Sequence, residues 1–262
     1  MKKLLTTGAG ALLLALSFAG TALAAAPSAQ VFDAVRKPES LDPQWRARVC
    51  VLLPQPCDVQ ALSLHRPRGA APAEYVVLSA EPLAMARVRR GAGVAGWQLD
   101  RLHDFSGYAA SMKKEDPERA DARLSLAPAL YPLAEGQWAV AVLQTVSEGY
   151  SGGGASFDTA DFVPLEGGKA VHEGIPFSCS KMVRACFSEK EYKTSKHCHD
   201  ESFGSLRIAY AEATKPGAPY GWNYTWLQSE WPQNEPRSAT TTTRIQFTAR
   251  TTERAGFCGG PQ

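Results

Sequence analysis

Apolar and polar residues alternate over much of this chain. From Thr241 to Arg250 one face reads Thr241, Thr243, Ile245, Phe247 and Ala249 and the other Thr242, Arg244, Gln246, Thr248 and Arg250, which is the period of two of a half-buried strand. Leu206, Ile208 and Tyr210 alternate in the same way with Ser205, Arg207 and Ala209. Between these stretches lies Trp222-Asn223-Tyr224-Thr225-Trp226-Leu227, bounded by Lys215-Pro216-Gly217 and by the turn-rich run from Pro232 to Pro236. Pro, Gly and Asn supply the backbone angles that turns need, so the three segments predict an antiparallel meander. Trp138 to Val146 is apolar on both faces and predicts a central strand covered on both sides. Tyr75 to Ser79, Met85 to Arg89 and Val94 to Leu102 are further strand segments by the same criterion.

Helical periodicity is scarce. Asp42 to Leu52 predicts a short helix, with Asp42 as cap and Pro43 at the first position, and Pro117 to Leu124 a second. The expected fold class is mainly β: antiparallel sheets, as a sandwich or a curled meander, with few short helices and disulfide staples. Residues 25–134 read as an N-terminal β-rich region and 135–262 as a C-terminal antiparallel region, the alternative being one continuous domain over 25–262.

The first residues stand apart from this pattern. Met1 is followed by Lys2 and Lys3, an apolar run from Leu4 to Leu23 and the small-x-small triplet Ala22-Leu23-Ala24, the three-part layout of a signal peptide over residues 1–24. The expected location is periplasmic or secreted, with no membrane span in the mature chain. The full sequence holds 28 Lys and Arg against 26 Asp and Glu. Removal of Lys2 and Lys3 leaves the mature chain formally neutral, without the clustered basic surface that phosphate-backbone binding needs, so no nucleic-acid partner is expected.

Six cysteines in an exported chain predict three disulfides. Cys50 and Cys57 flank the bend Leu53-Pro54-Gln55-Pro56, which favours a local bridge between them. Cys179, Cys186, Cys198 and Cys258 then share two bridges, at least one of which ties the C-terminal tail back to the body.

Three segments could carry chemistry. Gly149-Tyr150-Ser151-Gly152-Gly153 resembles the glycine-flanked serine of the serine hydrolases, a resemblance covering five residues. It implies Ser151 as nucleophile, with His172, His197 or His199 as the base. The helix that should follow such a serine is not written in Ala155-Ser156-Phe157-Asp158-Thr159, and a glycine-rich hairpin turn is the competing reading. His197-Cys198-His199-Asp200-Glu201 places alternate histidines on an extended segment, where they point the same way and could bind zinc or copper. Trp222, Tyr224 and Trp226 share one strand face, with Trp231 beyond them, and could form a platform for a partner or else the core of the meander.

No motif here specifies one reaction and no cofactor is implied. The leading expectation is an exported, disulfide-stapled β protein that acts by binding a protein or cell-envelope partner, in the manner of an inhibitor or immunity protein. A Ser151 hydrolase and a His197/His199 zinc or copper binder are the alternatives.

Overall fold

The computed structural model describes residues 26–91, 96–115, 122–249 and 256–260. The leader expected over 1–24 lies outside these residues, as do the first residues of the strand expected from Val94 and most of the helix expected from Pro117. Twelve strands form one antiparallel sheet. They are β1 (Gln30–Ala34), β2 (Leu62–Pro67), β3 (Glu74–Ala80), β4 (Leu83–Arg90), β5 (Trp97–Asp104), β6 (Arg123–Ala134), β7 (Gln137–Tyr150), β8 (Gly153–Pro164), β9 (His172–Arg184), β10 (His199–Ala211), β11 (Gly221–Trp231) and β12 (Thr241–Phe247). Three short α-helices accompany them: α1 (Trp45–Cys50), α2 (Ser106–Glu115) and α3 (Glu189–Thr194).

The spatial order is β12-β11-β10-β9-β8-β7-β6-β1-β2-β3-β4-β5. Two meanders, β2 to β5 and β6 to β12, are therefore joined through β1, which pairs with β2 on one side and β6 on the other. The expected mainly β, antiparallel, disulfide-stapled class is what the chain forms. A division between residues 134 and 135 falls at the tip of the β6–β7 hairpin, where Ala134 pairs with Gln137.

Three apolar cores explain why the sheet folds on itself. Phe32 of β1 and Val76, Leu78 and Met85 of the first meander pack with Leu130, Val140, Val142 and Val163 of the second, beneath Phe105 and Met112. On its other face the first meander is covered by α1, through Trp45 and Val49, and by the loop closed by Cys50–Cys57. The third core lies within the second meander, where Ala139, Ala141, Phe162 and Ile175 meet Trp222, Tyr224, Trp226 and Phe247. β7 contributes Val140 and Val142 to one core and Ala139 and Ala141 to another, as its two apolar faces require. The second meander curls far enough for β11 to reach β6: the Trp222 indole donates to the Pro132 carbonyl at 3.0 Å, and the Tyr220 amide donates to Leu133 O at 2.8 Å.

Two helical segments depart from expectation. The polar stretch after Asp104, for which the sequence predicts neither helix nor strand, forms α2, because the Asp104 carboxylate accepts from the Ser106 amide at 2.9 Å and Met112 is buried in the core between the meanders. The helix expected over Pro117–Leu124 is overturned at its end, since Arg123 and Leu124 pair with Thr145 and Gln144 in β6. All six cysteines are paired, as Cys50–Cys57, Cys179–Cys258 and Cys186–Cys198. Among the described residues no helix is long and apolar enough to cross a membrane.

Candidate functional site at the strand tips

The turn between β7 and β8, the end of β9, the start of β10 and the end of β11 meet at one end of the second meander. Arg184 pairs with His199, Met182 with Glu201 and Glu201 with Trp231, and residues directly opposite in antiparallel strands share a face. His199, Glu201 and Phe203 alternate along β10 and so lie on that face too. The Arg184 amide donates to Gly152 O, which joins the β7–β8 turn to the group.

The loop between β9 and β10 is held by three devices. Cys186–Cys198 closes it. The Ser188 side chain caps α3 in a reciprocal box with Glu191. The Glu191 carboxyl is held below the usual range by the Phe187 amide first, then by Ser188. Beyond α3, the Asn234 amide donates to His197 O at 2.8 Å, and the His197 amide donates to the Ser195 hydroxyl at 3.1 Å. His197 is thus fixed before the strand begins.

Its imidazole stacks on Trp231 with ring centroids 3.4 Å apart and planes 3° from parallel, and Arg237 lies over Trp231 at 5.0 Å. The His197 side chain is 9% exposed, and its Nε2 sits 3.4 Å from Glu201 Oε1 without a hydrogen-bond partner. His199 Nδ1 is 4.0 Å from the same oxygen. One nitrogen from each histidine and a Glu201 oxygen all lie within 4.8 Å of one another, which among the described residues is the one such group of three able to share an ion. Of the potential ligands in the segment from His197 to Glu201, the structure brings together the two histidines and the carboxylate of Glu201. The signal in the sequence is the i, i+2, i+4 spacing on an extended segment, which sends all three side chains to one side.

Apolar side chains surround this group in the open. Tyr150, Met182, Phe187, Tyr192 and Phe203 are all exposed, Phe187 at 73%. The Arg184 guanidinium lies 5.7 Å from the rings of both Phe187 and Tyr192. No periodicity in the sequence links these residues: Met182 and Phe203 come to one face through the β9–β10 register, Phe187 and Tyr192 lie in the loop beyond it beside Arg184, and Tyr150 reaches Met182 O with its hydroxyl from the β7–β8 turn.

The other residues singled out by sequence lie elsewhere or apart. Trp222, Tyr224 and Trp226 are 8%, 1% and 0% exposed; of the two readings of this face, platform or core, these three form core, packed on Phe162, Phe247 and Phe257. Of the four aromatic residues named for binding, only Trp231 lies at the tip. Ser151 is exposed in the β7–β8 turn, and among the described residues no hydrogen bond joins it to a histidine. His172 pairs with Phe162 near the far end of β9, whereas Gly153 pairs with Val183, so roughly 30 Å of strand separates His172 from Ser151 at about 3.3 Å per residue. Its ring packs on Trp222, centroids 4.9 Å apart, and burial lowers its pKa. His199 is nearer, but β9 intervenes and sets the β8 and β10 backbones about 10 Å apart.

A cleft of about 680 Å³ between α2 and β8 is lined by Phe105, Tyr108, Met112 and Asp161. Asp161 is buried and accepts from Gln144 Nε2 at 2.7 Å, the Gly174 amide at 2.6 Å and the Tyr108 hydroxyl at 3.1 Å. Its carboxylate tethers α2 to the sheet. Asp158 is taken up separately by Thr145 and Ser178.

No protein-family model, no curated protein and no solved structure matches this chain.

Proposed function

We propose that this is an exported, disulfide-stapled β protein that acts by binding a protein or cell-envelope partner, periplasmic or secreted, and that the strand-tip face does the binding. The observation that carries this reading is the gathering of Met182, Phe187, Tyr192 and Phe203 in the open at one end of the second meander. Exposed aromatic and methionine side chains clustered on one face mark interaction surfaces, and the cross-link and the α3 cap hold them without a partner's help. Three disulfides fit an oxidising compartment, and the layout of residues 1–24 supplies the route to it.

The test uses the chain without residues 1–24, immobilised and exposed to envelope and culture-medium proteins of the producing cell. A partner should be retained by the wild type and lost with Phe187→Ser combined with Phe203→Ser. Truncating a central aromatic anchor costs at least about 2 kcal/mol, or about thirtyfold in affinity. No retained partner, or retention indifferent to the double substitution, overturns the assignment.

A further inference from the structure

We propose that His197, His199 and Glu201 form a zinc site, with an imidazole nitrogen from each histidine and one carboxylate oxygen as ligands. This goes beyond the docking role and does not depend on it.

The ligand chemistry is the first ground. Two imidazoles and one carboxylate are a recurrent protein ligand set for zinc sites that leave a fourth position open. Cys198 lies between the two histidines but is consumed in a disulfide, so the donor set is nitrogen and oxygen alone, which suits a borderline divalent transition metal.

Geometry is the second. Tetrahedral zinc with bonds of about 2.0–2.1 Å places its ligand atoms about 3.4 Å apart. His197 Nε2 and Glu201 Oε1 already stand at 3.4 Å, and the His199 ring has to close on both, from 4.0 Å to the carboxylate oxygen and from a set whose members lie within 4.8 Å of one another. The His199 side chain is 36% exposed and can make that adjustment by rotation.

The third ground is the unused nitrogen. His197 Nε2 is shut away from water, has no hydrogen-bond partner and faces the Glu201 carboxylate. A buried polar atom without a partner calls for an explanation, and a lone pair directed at a cation supplies one. Trp231 fixes the plane of that imidazole by stacking, and the 186–198 disulfide fixes the backbone on either side of Cys198. The site is thus built before metal arrives.

The experiment uses untagged chain lacking residues 1–24, stripped with a chelator and dialysed. Titration with zinc chloride, followed by calorimetry and elemental analysis, should show one equivalent bound. Cobalt(II) in its place should give the visible absorption of a four- or five-coordinate ion. His199→Gln removes a partly exposed ligand with little risk to folding. It and Glu201→Gln should each weaken zinc binding at least about a hundredfold, since even outer-shell partners are worth 10–100-fold. His172→Gln, remote from the site, should leave the titration unchanged. No stoichiometric uptake, or uptake that survives His199→Gln and Glu201→Gln, overturns the proposal. So does an imidazolium signal from His197 that is indifferent to added zinc, because the 3.4 Å approach would then be an ion pair.

Discussion

Single residues show how tightly the second meander is closed. A Cβ on Gly204 would overlap the Trp226 ring and the Cys179 sulfur, whereas one on Gly107 would meet nothing within 4 Å. Gly204→Ala should therefore destabilise the fold by about 1–3 kcal/mol, the usual cost of overpacking. Gly107→Ala, inside α2, should leave stability unchanged or raise it by up to about 1 kcal/mol. Urea denaturation of both variants checks the contrast, and equal effects would contradict it. At this scale the sequence was only half legible. The alternation of Trp222, Tyr224 and Trp226 reports that they share a face, but alternation cannot say whether that face meets solvent or another part of the same sheet. The curl that brings Trp222 to Pro132 joins residues 90 positions apart, and nothing local encodes it. His197, His199 and Glu201 were legible as a spacing. The burial that makes His197 Nε2 chemically interesting comes from Trp231 on another strand.

Elements are tied by cross-links of unequal reach. Cys179 and Cys258 are 79 residues apart and Cys186 and Cys198 only 12. In the chain-entropy model the long bridge contributes about 4 kcal/mol and the short one about 3 kcal/mol. The long bridge also holds Phe257, fully buried against Phe157 and Trp226. Replacing Cys179 and Cys258 together by Ala should lower stability more than replacing Cys186 and Cys198. The second pair should instead cost zinc affinity, through the loosened His197, more than it costs the fold. Parallel denaturant and zinc titrations of the two double variants separate these effects, and the reverse ordering would count against the roles given to the bridges. The alternating segments emerged as β10, β11 and β12, the doubly apolar one as β7, and the economical Cys50–Cys57 bridge formed. By contrast α2 was hidden, since Ser, Gly and Lys dominate it and only Tyr108, Ala109 and Met112 face the core. The same obscurity covered β9, whose register with β8 is twice interrupted and whose residues consequently lack a clean alternation.

For the molecule as a whole, burial leaves a signature in acid. His65, His103 and His172 each have a pKa below the ordinary value near 6.5, with desolvation as the leading cause. The unfolded chain takes up these protons first, so their contribution to stability is intact above pH 6.5 and is lost as pH falls below it. Asp42 is also held below its ordinary value: burial pushes it up, but the Trp97 indole, the Gln44 amide and the Arg48 charge outweigh that. Glu191 is lowered by the Phe187 and Ser188 amides. The stability from these carboxylates persists to about pH 4.5 and disappears below. Melting temperature should therefore fall in two stages on acidification, the first shrinking in His172→Gln. A flat profile between pH 7 and pH 5 would refute the first stage.

The order of strands in space has a further consequence, in time. Apart from β1 with β6, every pairing joins strands adjacent in sequence, so a chain delivered from its N-terminus can add hairpin to hairpin without waiting for distant segments. β1 is the exception: one of its edges is served early by β2, while the other stays open until β6 arrives. The long bridge waits on Cys179, whose partner lies 79 residues further along the chain. Until Cys258 emerges, Cys179 is a waiting thiol with Cys186 and Cys198 close behind it, and the fidelity of pairing rests on the short bridge closing before the long one can be attempted.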